Sequence, residues 1–288
     1  MRSFYITINE AVKIWVETFG KPAREAILFI SGAGAISSFW SERICQELVR
    51  RKFYVIKYDH RDMGYSSKLP YEEHPFDVMD LARDALAILD SLQVAKAHVV
   101  GHSMGGFIAQ LLAIHYPERV LSLVSASSST NSPLVPPPPE RTWEVFMKNR
   151  PTNHFEKDLP GFLKVWEYLN GLAEFDEELA REYTRNLYER QEIAGALGES
   201  HVRAQAHLND RSENLRKLRI RTLVLHGEED YLVDKFGGIQ TAECIPDSKL
   251  DLLPRMGHMM FNAEIKHRFE DEIIAFFFPV SETEQGSF

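Results

Sequence analysis

From about Phe4 to Val16 apolar and polar residues alternate, with a break at Asn9 and Glu10. A period of two predicts half-buried strands, here two of them joined as a hairpin. From Ala26 onward the pattern changes. Ala26 to Ile30 is apolar throughout, and Phe53 to Asp59, His98 to Val100 and Val120 to Ala126 are further short, mostly apolar runs. The stretches from about Phe39 to Arg50, Phe76 to Leu92 and Ser103 to His115 carry the helical period instead. In the second of them Val78, Leu81, Ala85, Ile88, Leu89 and Leu92 form a single stripe. Continuous apolar strands alternating with helices predict an α/β fold, a mostly parallel sheet covered on both faces. The rhythm returns near the C-terminus. Strands are predicted at Thr222 to His226 and Lys249 to Leu253, with a helix after Val233 and a last one from about Ala263 to Phe278.

Residues 127–219 interrupt this rhythm. The segment opens with a Ser/Thr/Asn run and passes through Val-Pro-Pro-Pro-Pro-Glu at Val135 to Glu140, a stiff extended connector. Beyond it the sequence is helical, rich in charge and aromatic rings, and without strand signals. The organisation predicted is one sheet domain built from 1–126 and 220–280, a helical insertion at 127–219 and a loose polar tail at 281–288.

The chain has 288 residues, 44% of them hydrophobic, enough for a substantial core in one large domain or two small ones. A formal net charge of −9 and the lack of a basic block argue against a nucleic-acid partner. Cys45 and Cys244 do not form a Cys-x-x-Cys pair and read as free thiols of a reducing compartment. The N-terminal residues lack the apolar stretch and cleavage site of a signal peptide. The runs Leu111 to Ile114 and Ile273 to Phe278 are too short for a bilayer. A cytoplasmic chain without a membrane partner is the expectation; the oligomeric state is left open.

The chemistry concentrates at Gly101-His102-Ser103-Met104-Gly105, a Gly-x-Ser-x-Gly between a short apolar strand and a helix. In that context the serine occupies a sharp, strained strand-to-helix turn, and a Cβ at either glycine would collide with neighbouring backbone. The turn lifts the hydroxyl above the sheet edge, where the helix N-terminus faces developing negative charge. A serine hydroxyl needs a base within reach and a third group to orient that base. The order along the chain is serine, acid, histidine. Asp230 is the acid favoured after the strand Thr222 to His226, with Glu228 and Glu229 as alternatives. The preceding strand leads into Ser125 to Ser129, which offers no carboxylate. His258 follows Gly257 after the last strand and fills the slot for the base. The chain has 11 histidines, and His60, His201, His207 and His267 lack such a context. His102 is read as a neighbour that shapes the turn, His226 as packing under the acid loop.

An oxyanion hole requires two backbone N–H groups. Met104, directly after the nucleophile, is expected to supply one. The loop Ser31-Gly32-Ala33-Gly34-Ala35 supplies the other, from Ala33 or alternatively Gly34. That loop also imitates a dinucleotide fingerprint, Gly32-x-Gly34-x-x-Ser37, with Asp59 ending the next strand. The third glycine is absent, and Asp59 is better read as ordering the turn Asp59 to Ser66 through its amides. No His-Glu-x-x-His or similar cluster suggests a metal, and no cofactor is expected.

Ser31 to Gly34, the Asp59 to Ser66 turn, Gly101 to Gly106, Asp230 and Gly257-His258 fall in the order of the α/β-hydrolase superfamily, which the chain resembles over nearly its whole length. Two positions depart from that family: Ser31-Gly32 where it often has His-Gly, and Asp62 where its turn often has glycine. The Asp-His-Arg-Asp turn preceded by Val-Ile-Lys-Tyr is similar to aclacinomycin methylesterase and its relatives. The resemblance implies a helical cap at the insertion and a small-molecule ester substrate. Trp40, Phe107, Trp143, Phe146, Phe162 and Trp166 are candidate pocket residues for a medium-sized apolar substrate. Serine-dependent C–C bond hydrolase, lactonase or perhydrolase chemistry is the alternative. A ligand receptor or scaffold that kept the same residues is the reading from another class.

Overall fold

The computed structural model describes residues 1–190 and 198–278, so the predicted tail lies outside the described residues. Eight strands form one sheet: β1 (Arg2–Thr7), β2 (Lys13–Phe19), β3 (Ala26–Ile30), β4 (Tyr54–Tyr58), β5 (Ala97–His102), β6 (Val120–Ala126), β7 (Thr222–Gly227) and β8 (Ser248–Leu253). Their spatial order is β1-β2-β4-β3-β5-β6-β7-β8. The hairpin β1–β2 is antiparallel and joins β4 antiparallel; from β4 to β8 every pairing is parallel.

The helices of the sheet domain are α1 (Glu42–Arg50), α2 (Val78–Ser91) and α3 (Met104–His115). The segment between β6 and β7 contributes α4 (Glu140–Lys148), α5 (Phe155–Leu169), α6 (Glu177–Glu189), α7 (Glu199–Ala204) and α8 (Ser212–Leu215). After β7 come α9 (Lys235–Cys244) and, past β8, α10 (Ala263–Phe277). The helix expected from about Phe39 is divided. A single 3-10 turn covers Ser37–Phe39, Trp40 is extended, and Ser41 caps α1 by accepting from the Ile44 amide. The capping hydroxyl fixes the start of the helix where the apolar pattern alone does not.

The fully buried strand β3 shows how the sheet divides the core. Leu28 and Ile30 face a cluster with Leu81, Ala85 and Ile88 of α2 and Ile108 and Leu112 of α3. Ile27 and Phe29 face the opposite cluster with Ile44 and Leu48 of α1 and Phe269 and Ile273 of α10. The period-two alternation thus stocks two apolar layers from one strand. Cys45 and Cys244 are buried and unpaired.

A buried ionic cluster ties the end of α6 to the sheet. Glu17 of β2 lies 3.3 Å from the Lys57 ammonium and 2.9 Å from the Arg190 guanidinium. Arg190 also donates to the Ser37 hydroxyl at 3.0 Å. Burial raises the pKa of Glu17, but the two cations outweigh it and hold the carboxyl below its ordinary value. Asp59 orders its turn as expected from the sequence, accepting from the Ser37 and Tyr65 amides at 2.7 and 3.0 Å.

Helix α3 lies so close to β3 that a Cβ on Gly105 would strike the Ile30 and Ser31 carbonyl oxygens. Gly105→Ala is therefore expected to lower the unfolding free energy by about 3 kcal/mol, because backbone must move to admit one methyl. A urea titration with an unchanged midpoint would contradict this packing.

Candidate active site

Ser103 is the single residue between the end of β5 and the start of α3, at φ 56° and ψ −121°. A Cβ at Gly101 would collide with Gly105, so the chain reverses here only because both positions lack side chains. The Ser103 amide donates to the Ala126 carbonyl of β6 at 2.9 Å, and its carbonyl accepts from the Gly106 and Phe107 amides. The side chain is thereby held at the sheet edge.

Two loops from the same edge meet it. Asp230 follows β7 and His258 follows β8, and both are buried. His258 Nε2 lies 3.0 Å from Ser103 Oγ, and its Nδ1 lies 2.8 Å from Asp230 Oδ2. The other carboxylate oxygen accepts from the Leu232 and Val233 amides at 2.9 and 2.8 Å. Of the three acids in this loop, Asp230 is the one the fold brings to His258. Glu229 instead accepts from the Tyr231 hydroxyl at 3.1 Å. Burial pushes the pKa of Asp230 up, but the charge of His258 and the contact with His226 more than offset it, so the carboxyl is held well below its ordinary value. His226 packs under the acid loop, donating to the Val233 carbonyl at 2.9 Å and lying 3.4 Å from Asp230.

His102 points away from the serine proton and donates through Nε2 to the His258 carbonyl at 2.9 Å. Its ring packs on Phe39 at 4.4 Å. Burial, then the neighbouring His258, lowers its pKa to about 3, so the ring is neutral. Sequence reasoning missed Asn170. Its carbonyl accepts from the Gly257 amide at 3.1 Å, and its side chain accepts from the Phe261 amide at 2.7 Å. These bonds grip the loop of His258 from both sides. No sequence motif marks Asn170.

The loop after β3 also reaches the serine: a Cβ on Gly32 would lie 3.0 Å from Ser103 Cβ. The Gly34 amide, the alternative oxyanion donor, is already spent on His201 Nδ1 at 3.2 Å. The amides of Ala33 and Met104 have no acceptor among the described residues.

The six aromatic candidates are placed differently. Trp40 is buried, its ring centroid 4.6 Å from that of Phe29 and 5.0 Å from that of Phe39. Trp143 is 51% exposed, its ring centroid 6.2 Å from that of Phe146. Phe162 and Trp166 pack on each other and on α6, Trp166 donating to the Thr184 hydroxyl at 2.9 Å. Phe107, one turn along α3 from Ser103, lies under the Arg211 guanidinium at 4.9 Å. A cavity of about 150 Å³ opens beside Phe39, Tyr183, Met259, Met260 and Lys266. Ser103, Asp230 and His258 are not among its walls. Among the described residues no cluster of His, Cys, Asp and Glu could hold a metal ion, and no helix is long and apolar enough to cross a membrane.

Known proteins resemble this chain in sequence and in fold. The alpha/beta hydrolase fold family matches residues 25–262. A rhodomycin D methylesterase of Streptomyces peucetius is 32% identical over 273 residues, covering 88% of this chain and 91% of its own. A hydrolase structure from Pseudomonas aeruginosa superposes with a TM-score of 0.73 at 24% identity, covering 96% of this chain and 98% of the other. The enol-lactonase of Burkholderia xenovorans gives 0.75 at 18% identity, over 95% and 99% of the two chains.

The depressed pKa of Asp230 makes a prediction about folding. Such a group contributes its full stability above the ordinary value of 3.8 and gives it up as pH falls below that. The stability gap between the native protein and Asp230→Asn is expected to be constant above about pH 5 and to narrow steadily below about pH 4. Urea titrations across that range check it, and a gap independent of pH would contradict it.

Proposed function

The chain belongs to the α/β-hydrolase fold family, and from that premise we propose that it hydrolyses a carboxylic ester of a small to medium apolar acid through Ser103, His258 and Asp230. One observation carries the reading: the unbroken series Ser103 Oγ–His258 Nε2, 3.0 Å, and His258 Nδ1–Asp230 Oδ2, 2.8 Å, at a strained strand-to-helix turn.

Ser103 Oγ attacks the ester carbonyl carbon while its proton passes to His258 Nε2. Asp230 accepts from Nδ1–H, fixes the tautomer and stabilises the imidazolium that forms. The carbonyl oxygen becomes an oxyanion facing the amides of Ala33 and Met104, neither of which has an acceptor among the described residues. The bond to the alcohol oxygen then breaks, and that oxygen takes the proton from His258. Water attacks the acyl-serine, gives its proton to His258, and the acid leaves as Ser103 recovers its hydroxyl.

The ester reading draws on the methylesterase relative, whose name supports a small alcohol such as methanol on the leaving side. A carboxylate nucleophile, as epoxide or carbon–halogen chemistry would use at this turn, is not present at position 103.

A fluorophosphonate probe is expected to label the native protein and to leave Ser103→Ala and His258→Ala unlabelled. Labelling that persists in Ser103→Ala, or a folded native protein that takes up no probe, would sink the proposal. In a panel of methyl esters graded by acyl size, Asp230→Asn is expected to lower kcat by about 10⁴-fold at neutral pH, because the imidazole loses its tautomer-fixing partner. A loss below about tenfold would remove Asp230 from the proton path.

A further inference from the structure

The second oxyanion donor, Ala33, lies on a loop whose shape is held from outside the sheet domain. Helix α7 places His201 directly against it. The buried ring accepts from the Gly34 amide through Nδ1 at 3.2 Å and therefore carries its proton on Nε2, which donates to the Arg61 carbonyl at 2.8 Å. Arg61 is itself fixed, its guanidinium paired with both oxygens of Asp84 in α2 at 2.7 and 2.6 Å. At the other end of the loop His60 donates to the Ser31 carbonyl at 2.9 Å, and the two imidazoles meet edge to face at 5.5 Å. Gly198, one turn before His201, lies so close that a Cβ there would come within 2.7 Å of Gly34 Cα.

We propose that His201 is a positioning residue for the oxyanion hole, acting through the Ala33–Gly34 peptide. The proposal rests on the reading of Ser103 as nucleophile. The Gly34 N–H belongs to the planar peptide that follows Ala33, and the Ala33 N–H to the planar peptide that precedes it. Only φ and ψ of Ala33 separate the two planes. Fixing the Gly34 N–H on the imidazole fixes one plane, and the narrow space at Gly32, where a Cβ would come to 3.0 Å from Ser103 Cβ, limits the other. The same bond keeps Gly34 from competing for the oxyanion. Burial lowers the pKa of His201 and keeps Nδ1 free of a proton, so the acceptor persists. A donor displaced by about 1 Å costs a reaction about a hundredfold, which sets the scale of what this contact protects.

Two substitutions separate positioning from mere support. His201→Asn puts a carbonyl oxygen where Nδ1 stood and keeps an acceptor for Gly34, but loses the donor to Arg61. His201→Gln reaches the Arg61 carbonyl with its amide and leaves Gly34 without its acceptor. The measurement is the second-order rate constant for fluorophosphonate labelling, whose phosphoryl oxygen must enter the same hole, alongside kcat and KM on p-nitrophenyl acetate. His201→Gln is expected to lower the labelling rate and kcat together by about tenfold or more, with KM changed less than about twofold. His201→Asn is expected to stay within about threefold of native, even if its Tm falls. Equal losses in the two variants, or no loss in His201→Gln, overturn the proposal. Should the Gln variant fail to fold by circular dichroism, the Asn variant must exceed His201→Ala by about tenfold in labelling rate, and equality overturns it. Labelling that survives Ser103→Ala, or a native protein that resists the probe, marks failure of the parent reading and removes this one with it.

Discussion

Ser103 is held at φ 56° and ψ −121°, a backbone conformation that costs an L residue about 1–3 kcal/mol and persists only where its surroundings over-determine it. The surroundings here are the central strands. β5 pairs with β3 up to Ile30–Gly101 and with β6 up to His102–Ala126, so the sheet registers fix where β5 must stop. Helix α3 then starts against the Ile30 and Ser31 carbonyls, an approach only Gly105 permits. The two apolar layers that bury β3, β5 and α3 supply the stability that the turn consumes. Because β7 and β8 run parallel to β5, their C-terminal ends deliver Asp230 and His258 to the same edge.

The second constraint is electrostatic. Several imidazoles lie near the serine turn, and a charged one among His60, His102 and His201 would compete with His258 for the influence of Asp230. Burial removes that competition: it lowers the pKa of His60 and of His102 to about 3 and lowers that of His201. Each neutral ring is then usable as a fixed donor to a backbone carbonyl, Ser31, His258 and Arg61 respectively. Asp230 keeps its charge in the same buried region because two amides and His258 meet its oxygens. One permanent anion, one base and a frame of neutral rings make a site in which charge develops at a defined place.

These arrangements differ in how legible they are in the sequence. The central strands announce themselves because they are apolar on both faces, and the serine turn because Gly101 to Gly105 falls between an apolar strand and a helix. The order serine, acid, histidine locates two loops, but choosing Asp230 over Glu229 needs the geometry that gives Glu229 to Tyr231. Aromatic residues are ambiguous in the sequence, since the property that lines a pocket also packs helices. Phe162 and Trp166 meet Tyr188 and Tyr183 of α6, and Trp40 fills the core. Asp62 replaces a glycine common in related turns yet adopts φ 64°, accepting from the Leu69 amide at 2.9 Å. An aspartate can carry that conformation where most residues cannot. His201 and Asn170 left no trace because their partners lie far away along the chain, at Gly34 and at Gly257 and Phe261.

Those two residues change what the segment between β6 and β7 does. The end of α5 holds the loop of His258, the Leu169 carbonyl accepting from Met259 and Asn170 bonding on either side. The end of α6 sends Arg190 to Glu17 and Ser37, next to the turn of Asp59. Helix α7 holds the loop of Ala33. Without these helices the loops of His258 and of Ala33 would each lose bonds that no strand supplies. Buried backbone groups left without partners cost about 1–3 kcal/mol apiece, and loops relieve that cost by moving toward water. On the proposed mechanism, the helices over this sheet are therefore part of the reacting geometry itself. Changes in substrate preference made by remodelling them must leave Leu169, Asn170, Arg190 and His201 in place.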